Sequence, residues 1–134
     1  GGYVCAYSTG NDGLDANGDF KISGGNVFAI GTSSPEVGID ANTEGGYKLY
    51  ITGGNVIAIG GLENNSSLTG VSSKSTSVST NTWYTFKNGN TSVFSFKTPS
   101  GLRTTSATIV ASSTPTISSG SISGTTIWNG YGIK

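Results

Sequence analysis

The chain has no histidine or methionine, only one cysteine, and charged side chains at 10% of its positions. Without histidine it cannot form a Ser-His-Asp triad, a histidine general base or a histidine-ligated zinc site. The single cysteine, Cys5, excludes an internal disulfide. Seven basic and seven acidic residues cancel, and no basic patch attracts nucleic acid. The composition therefore excludes histidine-based catalysis and argues against a nucleic-acid partner.

Long apolar runs are also missing. No run approaches the ~20 residues that a helix needs to cross a bilayer, so we expect no membrane span. The chain opens on Gly1-Gly2, inside a repeated phrase and without a signal peptide. We therefore expect that a signal or an anchor has been removed upstream.

Glycine is abundant, with 22 of the 134 residues, and serine, threonine and asparagine are frequent. The apolar residues, 34% of the chain, gather in short clusters of the β type. No stretch has a 3.6-residue apolar period of helical length. The length suits one domain, and the pattern predicts an all-β chain with almost no helix.

An internal repeat organises the first half of the chain. Gly-Leu-Asp-Ala-Asn at 13–17 returns as Gly-Ile-Asp-Ala-Asn at 38–42. Ile-Ser-Gly-Gly-Asn-Val-Phe-Ala-Ile-Gly at 22–31 returns, with two substitutions, at 51–60, and a weaker copy occupies 2–8. Val4, Val27 and Val56 are thus separated by 23 and then 29 residues. A period of this length predicts the coils of a parallel β-solenoid.

Three strands are expected in each coil, with the Gly-Gly pairs at its corners. The predicted strands are 13–17 and 38–42, Asp19–Ser23 and Tyr47–Thr52, and Val27–Ile30, Val56–Ile59 and Val4–Tyr7. We predict one domain over 1–134, with coils in 1–60, a degenerate coil or loop in 61–82, and terminal strands and a cap in 83–134. The last segment should hold a hairpin turning at Asn88-Gly89 and strands at Ala107–Ala111 and Thr125–Trp128.

Acidic residues cluster within the repeat, where six of the seven lie between positions 12 and 44. In register, Asp15 stacks on Asp40, and adjacent strands are about 4.8 Å apart. Two carboxylates at that distance repel unless water or a cation separates them. Carboxylate, amide and carbonyl oxygens are the ligands that Ca²⁺ prefers. The predicted calcium ligands are Asp12, Asp15, Asn17, Asp40, Asn42 and Glu36.

The ordinary alternative is that these acids and amides form turns on a solvated face. Asp19 and Glu44 fit that description as exposed charges. The spacing is not that of an EF-hand, because strands flank the segment and no glutamate stands at the twelfth position of a loop starting at Asp12. The match between the two repeats favours calcium.

The segment Asn11–Gly18, followed by Ile22–Val27, resembles the repeat of secreted bacterial carbohydrate-binding β-helix proteins. Val93–Lys97, Ala107–Ile117 and Gly124–Gly130 are similar to that family's ending. The resemblance implies a short right-handed parallel β-helix, similar to pectate lyases, with a C-terminal β-rich cap. It also implies bound Ca²⁺, an extracellular or cell-surface location, and binding of polysaccharides of the plant cell-wall or uronic acid type. The second repeat departs from the family pattern at Pro35–Gly38.

The resemblance favours non-catalytic polysaccharide binding as the function. Sugars stack on aromatic faces and bond to polar side chains. The candidate contacts are Lys48, Tyr50, Tyr47, Trp83 and Trp128, with Tyr131 as a further platform. Tyr50 should point outward, since its parity is opposite to that of Leu49 and Ile51. For Trp83 and Trp128 the ordinary alternative is packing in the core or cap.

Two other functions stay open. A calcium-dependent polysaccharide lyase would need a lysine base, for which Lys21 and Lys48 are the candidates. No second basic residue near either lysine in sequence would hold the substrate. A structural or adhesive solenoid would use calcium only to rigidify the stack.

Overall fold

A computed structural model describes residues 1–126, and the folded elements in this range are short strands and one 3₁₀ turn, Thr43–Gly45. The strands are β1 (Tyr3–Tyr7), β2 (Phe20–Ile30), β3 (Leu49–Ile59), β4 (Ser67–Leu68), β5 (Ser72–Ser77), β6 (Trp83–Asn88), β7 (Thr91–Lys97), β8 (Ser106–Ala111) and β9 (Pro115–Ser119). Trp128 and Tyr131 lie outside the described residues, as does part of the predicted strand Thr125–Trp128. No helix in the described range is long and apolar enough to cross a membrane.

The repeats pair in parallel and in register. β1 pairs with the second half of β2, and β2 pairs with β3 along most of its length, so that Val4, Val27 and Val56 align. The predicted corner at each Gly-Gly pair lies inside a long strand, where the β2–β3 register shifts. Gly25 and Gly54 have φ of 77° and 89°, conformations that side chains disfavour. The two strands predicted on either side of each Gly-Gly pair are therefore one bent strand.

The predicted strands at 13–17 and 38–42 are not strands. Leu14 makes one parallel bridge, to Ile39, and Ile39 makes a second one, to Leu62. A hydrophobic residue points inward at each bridge, while the polar residues around it turn the chain. These segments are stacked turns. Their acidic side chains therefore lie together along one edge of the stack, here called the rim.

Beyond β3 the pairing changes direction. β8 runs antiparallel to the second half of β3, and β5 runs antiparallel to β8, which gives the order β1-β2-β3-β8-β5 with β4 also on β3. A second sheet has the order β7-β6-β9 and is antiparallel throughout. β6 and β7 form the hairpin predicted at Asn88-Gly89. β9 was not among the predicted strands; it begins at Pro115, and Pro is tolerated as the first residue of a strand.

The prediction of a right-handed parallel β-helix with a C-terminal cap is wrong. The structure is an all-β fold of two sheets, one mixed and one antiparallel, that resembles a β-sandwich. The physical reason lies in β6 and β7, whose buried aromatic side chains need an apolar face to cover. They pack on β2 and β3 as a second sheet, and β8 takes the position on β3 that a further parallel coil would need.

Two hydrophobic cores share β2 and β3. The aromatic core lies toward the second sheet and contains Phe28, Ile30, Ile57, Ile59, Val78, Tyr84, Phe86, Phe94, Phe96, Ala107, Ile109 and Ala111. The aliphatic core lies on the other face and contains Ile22, Val27, Ala29, Ile39, Ala41, Leu49, Ile51, Val56, Ala58 and Val110. Because successive strand residues face opposite sides, the apolar runs at Val27–Ile30 and Val56–Ile59 fill both cores.

Candidate metal centre

Three glycines bring the turns of the repeat into close contact. Leu14 N–H donates to the carbonyl of Gly38 at 3.0 Å, and Gly38 N–H donates to the carbonyl of Gly61 at 2.8 Å. A Cβ on Gly13 would lie 2.7 Å from the Gly38 carbonyl oxygen, and one on Gly38 would lie 2.9 Å from that of Ile59. The glycine that opens each repeat is therefore required by backbone contact, and it sets the spacing of the side chains that follow.

Acidic side chains stack directly after the bridged residues. Leu14, Ile39 and Leu62 are aligned by parallel bridges, so the next residues, Asp15, Asp40 and Glu63, form a carboxylate ladder on successive turns. Asp40 N–H donates to Leu14 O at 2.8 Å, and Glu63 N–H donates to Ile39 O at 3.0 Å. The ladder is thus fixed by backbone hydrogen bonds.

Asp12 joins the ladder from the same turn as Asp15. One carboxylate oxygen each from Asp12, Asp15 and Asp40 lie within 4.8 Å of one another. Asp12 Oδ1 accepts a 2.6 Å hydrogen bond from the Val37 backbone N–H, which orients this side chain. At that separation each pair of like charges costs about 3 kcal/mol for an effective dielectric constant near 20. The three carboxylates therefore form a site that a cation would stabilise.

Asp40 has the least compensated of these carboxylates. Its Oδ1 is buried and has no hydrogen-bond partner, although the residue as a whole is half-buried. Burial, followed by a hydrogen bond with the Glu63 carboxyl group and by the charges of Glu63 and Asp12, raises the pKa of Asp40 from 3.8 to about 7. The hydrogen bond from the Ala41 backbone N–H lowers the pKa of Asp40, but by less than the other causes raise it. Two carboxyl groups can share a hydrogen bond only when one is protonated, so the raised pKa corresponds to a proton held on this carboxyl pair.

An open polar pocket of about 410 Å³ lies beside the ladder. Asp15, Asp40, Glu44 and Glu63 supply its acidic wall, and no lysine or arginine within residues 1–126 lines it. Its oxygen-rich surface suits a hard cation such as Ca²⁺ or Mg²⁺ and contains none of the nitrogen and sulfur ligands typical of zinc.

The predicted amide ligands have structural contacts of their own. Asn42 Nδ2 donates to Asn17 O at 3.0 Å, while Asn42 Oδ1 accepts from Gly45 N–H at 3.0 Å and so caps the 3₁₀ turn. Asn17 and Asn42 line the pocket, but the Asn42 side chain is occupied at both ends. Glu36 belongs neither to the carboxylate cluster nor to the pocket lining. The structure thus brings together Asp12, Asp15 and Asp40 and leaves Glu36 apart.

Sequence reasoning did not place Glu63 in the site. Gly61-Leu62-Glu63-Asn64-Asn65 follows the pattern of the two earlier phrases, with glutamate in place of aspartate. A search for Gly-hydrophobic-acid-x-Asn, rather than for identity, would have found this third copy. The substitutions at its acidic and alanine positions concealed it.

Of the predicted sugar contacts, Tyr50 lies on β3, and Tyr47 and Lys48 directly precede that strand. Lys21 and Tyr50 are in register, and Lys21 Nζ lies 5.9 Å from the centre of the Tyr50 ring. Tyr47 is 46% exposed, and Lys48, also exposed, donates its backbone N–H to Asp19 Oδ1 at 3.0 Å.

Trp83 lies elsewhere, half-buried at the start of β6 in the second sheet. It pairs with Lys97 across the hairpin, and its carbonyl accepts the Gly120 N–H at 2.9 Å. Trp83 is therefore on a different sheet from Tyr50.

No protein-family model, curated protein or solved structure matches the chain. The resemblance to carbohydrate-binding β-helix proteins consequently rests on the repeat motif and the similar C-terminal segments alone. The site has to be interpreted from its own geometry.

Proposed function

We propose that this chain is a calcium-binding module whose ion is held by Asp12, Asp15 and Asp40. The observation that supports the proposal is the buried, unpartnered Oδ1 of Asp40, surrounded by carboxylates within 4.8 Å. Removing a carboxylate oxygen from water without a hydrogen-bond donor is costly, and a cation compensates for that loss. The ion joins two turns of the repeat and stabilises their stacking.

Calcium suits this site better than magnesium. Ca²⁺ accepts six to eight oxygens in flexible geometry, whereas Mg²⁺ requires a tight octahedron and retains much of its water. The carboxylates here are spaced by the strand repeat of about 4.8 Å, and the pocket is open to further oxygens from water.

Isothermal titration calorimetry tests the calcium site directly. We expect the metal-stripped protein to bind Ca²⁺, and the double variant Asp15→Asn, Asp40→Asn to lose binding. Glu36→Gln is the matched control, since it removes one acidic charge outside the cluster. Calcium should also raise the melting temperature of the protein and of the control, but not of the double variant. A melting curve that is identical with calcium and with chelator would refute the proposal.

Polysaccharide binding is the second candidate function, located on the face that carries Lys21, Tyr50, Tyr47 and Lys48. It is favoured by the exposed ring of Tyr47 and by the outward Lys21–Tyr50 pair, which offer an aromatic platform beside a cation. Neutral and acidic plant polysaccharides are both suitable probes, because the face combines aromatic and basic groups.

Affinity electrophoresis in gels containing cellulose derivatives, xylan or pectate tests this function. We expect retardation of the protein and reduced retardation of Tyr47→Ala. Tyr3→Ala is the control, because Tyr3 is 41% exposed but lies on β1. Absence of retardation in every gel, with the calcium effect intact, would favour a structural module. Unsaturated product from pectate and Ca²⁺ would instead indicate a lyase.

A further inference from the structure

We propose that Asn17-Gly18, on the first turn of the repeat, is a modification site at which Asn17 deamidates spontaneously to aspartate and isoaspartate. Asn-Gly dipeptides occur at 17–18, 88–89 and 129–130. The last lies outside the described residues, and the other two have contrasting surroundings. The inference rests on that contrast and is independent of the proposed calcium function.

Deamidation needs an unrestrained asparagine side chain and an unrestrained backbone nitrogen on the next residue. The Gly18 nitrogen loses its proton to hydroxide and attacks Asn17 Cγ, the Cγ–Nδ2 bond breaks, and the amide leaves as ammonia after taking a proton from water. Water then opens the cyclic succinimide, at the former side-chain carbonyl to give aspartate or at the α-carbonyl to give isoaspartate. The net change consumes water and releases ammonia. Glycine favours ring closure because it has no Cβ and adopts a wide range of backbone angles.

Asn17-Gly18 meets both conditions. The Asn17 side chain is exposed and makes no hydrogen bond within residues 1–126. The Gly18 N–H donates to no acceptor in the same range. Neither residue belongs to a strand, and the nearest atom that a Cβ on Gly18 would meet is on the Tyr47 ring at 3.9 Å. This turn therefore leaves both reacting groups unrestrained and has room for the ring to close.

Asn88-Gly89 has the same chemistry, but hydrogen bonds restrain both reacting groups. Asn88 Nδ2 donates to Ser112 Oγ at 2.9 Å, and Asn88 Oδ1 accepts the Ser113 N–H at 2.9 Å. The Gly89 N–H donates to Thr114 O at 2.8 Å. Asn88 is also the last residue of β6. This dipeptide can therefore react only after local opening of the hairpin.

The modified turn lies where the second repeat stacks on the first. Asn42 Nδ2 donates to Asn17 O at 3.0 Å, and Asn42 N–H donates to Gly18 O at 3.2 Å. Isoaspartate inserts the β-carbon into the main chain between these two acceptors and converts the Asn17 carbonyl into a side-chain carboxylate. Aspartate keeps the backbone and adds a charge to the polar pocket that Asn17 lines. Isoaspartate should therefore weaken the stacking of the two turns.

Peptide mapping of aged protein tests the inference. The folded protein is incubated with chelator in mildly alkaline buffer, which favours loss of the amide proton. Cleavage after lysine and arginine puts the three dipeptides in separate peptides, 1–21, 88–97 and 104–134. Mass spectrometry measures the exchange of NH₂ for OH, and an isoaspartate-specific methyltransferase detects isoaspartate. We expect Asn17 to react roughly tenfold or more faster than Asn88, because hydrogen bonds protect the latter.

Denaturation and two variants separate structure from sequence. In guanidinium chloride both dipeptides are unrestrained, and we expect the rates at Asn17 and Asn88 to agree within about threefold. Asn17→Gln keeps an amide but would have to close a larger ring, so it should stay unmodified. Gly18→Ala keeps Asn17 and places a Cβ beside the attacking nitrogen, so Asn17 should react more slowly at an unchanged melting temperature. Circular dichroism establishes that each variant is folded, and if one is not, the other supplies the comparison.

Two results would overturn the inference. One is an Asn17 that stays unmodified in the folded protein but reacts in guanidinium chloride, since the turn would then protect it. The other is an equal rate at Asn17 and Asn88 in the folded protein, since the hydrogen bonds would then decide nothing. Aged wild type should also melt at a lower temperature than fresh protein, whereas aged Asn17→Gln should not. Because every measurement is made in chelator, failure of the calcium function would leave these outcomes unchanged.

Discussion

The two hydrophobic cores of this protein differ in the arrangement of the chain around them and in the side chains they contain. The aliphatic core is formed by parallel turns that repeat in sequence, and its members are Val, Ile, Leu and Ala. The aromatic core joins two sheets that share no repeat, and four of its members are phenylalanines. β2 and β3 contribute alternate residues to each core, so one pair of strands supports both arrangements.

Because of this difference, the candidate metal site and the core with the large aromatic side chains lie in different parts of the molecule. Stacking in the parallel half repeats each polar side chain at a fixed spacing, which is how Asp15, Asp40 and Glu63 come to share a rim. The antiparallel half has no such column among the described residues, but it buries Phe86, Phe94 and Phe96 completely. Substitutions in the two halves should therefore differ in size and in their dependence on calcium.

The largest expected effect is in the aromatic core. Phe94 is completely buried and stacks on Phe86 with ring centres 5.3 Å apart. Phe94→Ala should lower the free energy of unfolding by about 3–5 kcal/mol, because it removes a large buried side chain and leaves a cavity. Urea denaturation with and without Ca²⁺ should give the same loss. Ser92→Ala, at an exposed position of β7, is the control. A loss below about 1 kcal/mol would contradict the assignment of this core.

A smaller effect is expected where the turns stack. Gly13→Ala places a Cβ 2.7 Å from the Gly38 carbonyl oxygen, so the backbone must shift. We expect a loss of about 1–3 kcal/mol together with weaker Ca²⁺ binding, because Asp12 and Asp15 move with this turn. Gly18→Ala is the control, since its nearest contact would be at 3.9 Å. Equal effects from the two variants, measured by thermal melting and calorimetry, would contradict the close stacking.

In the absence of metal, Asp40→Asn should raise the free energy of unfolding, whereas the two preceding substitutions lower it. It removes a charge from the carboxylate cluster and gives Glu63 a hydrogen-bond donor, so the metal-free protein should gain about 1 kcal/mol. Calcium should no longer raise its melting temperature. Asp19→Asn, which keeps the oxygen that accepts the Lys48 N–H, should leave the calcium effect intact. A destabilised metal-free Asp40→Asn would show that its carboxylate has a structural role.

The smallest expected effect is a pH dependence. Asp40 ionises near 3.8 when the chain is unfolded but near 7 when it is folded. The folded state thus binds more protons between these values, and stability falls as pH rises through this window. Thermal melting in chelator should show this decline for the wild type, less of it for Asp40→Asn, and little of it when calcium is saturating. Identical pH profiles for wild type and Asp40→Asn would exclude the raised pKa.

The sequence predicts the pairing of the repeats more accurately than the pairing of the strands that follow them. It paired Val27 with Val56 and put Asp15 beside Asp40, because near-identical phrases at a regular spacing favour in-register stacking. It extended that stacking to a parallel β-helix, which is wrong. Hydrophobic periodicity shows that 83–97 and 107–111 are strands, but it does not reveal which strands they pair with. Glu63 was missed because its phrase keeps only the pattern of the repeat.

The sequence by itself determined the all-β character, the stacking of two acidic turns and the absence of histidine chemistry, because these depend on composition and local pattern. The tertiary structure decided the rest. The direction of β8, the second sheet and the addition of Glu63 to the rim depend on contacts between residues far apart in the chain. Such contacts form when one apolar sheet face is buried against another. No local sequence pattern specifies which two faces pack together.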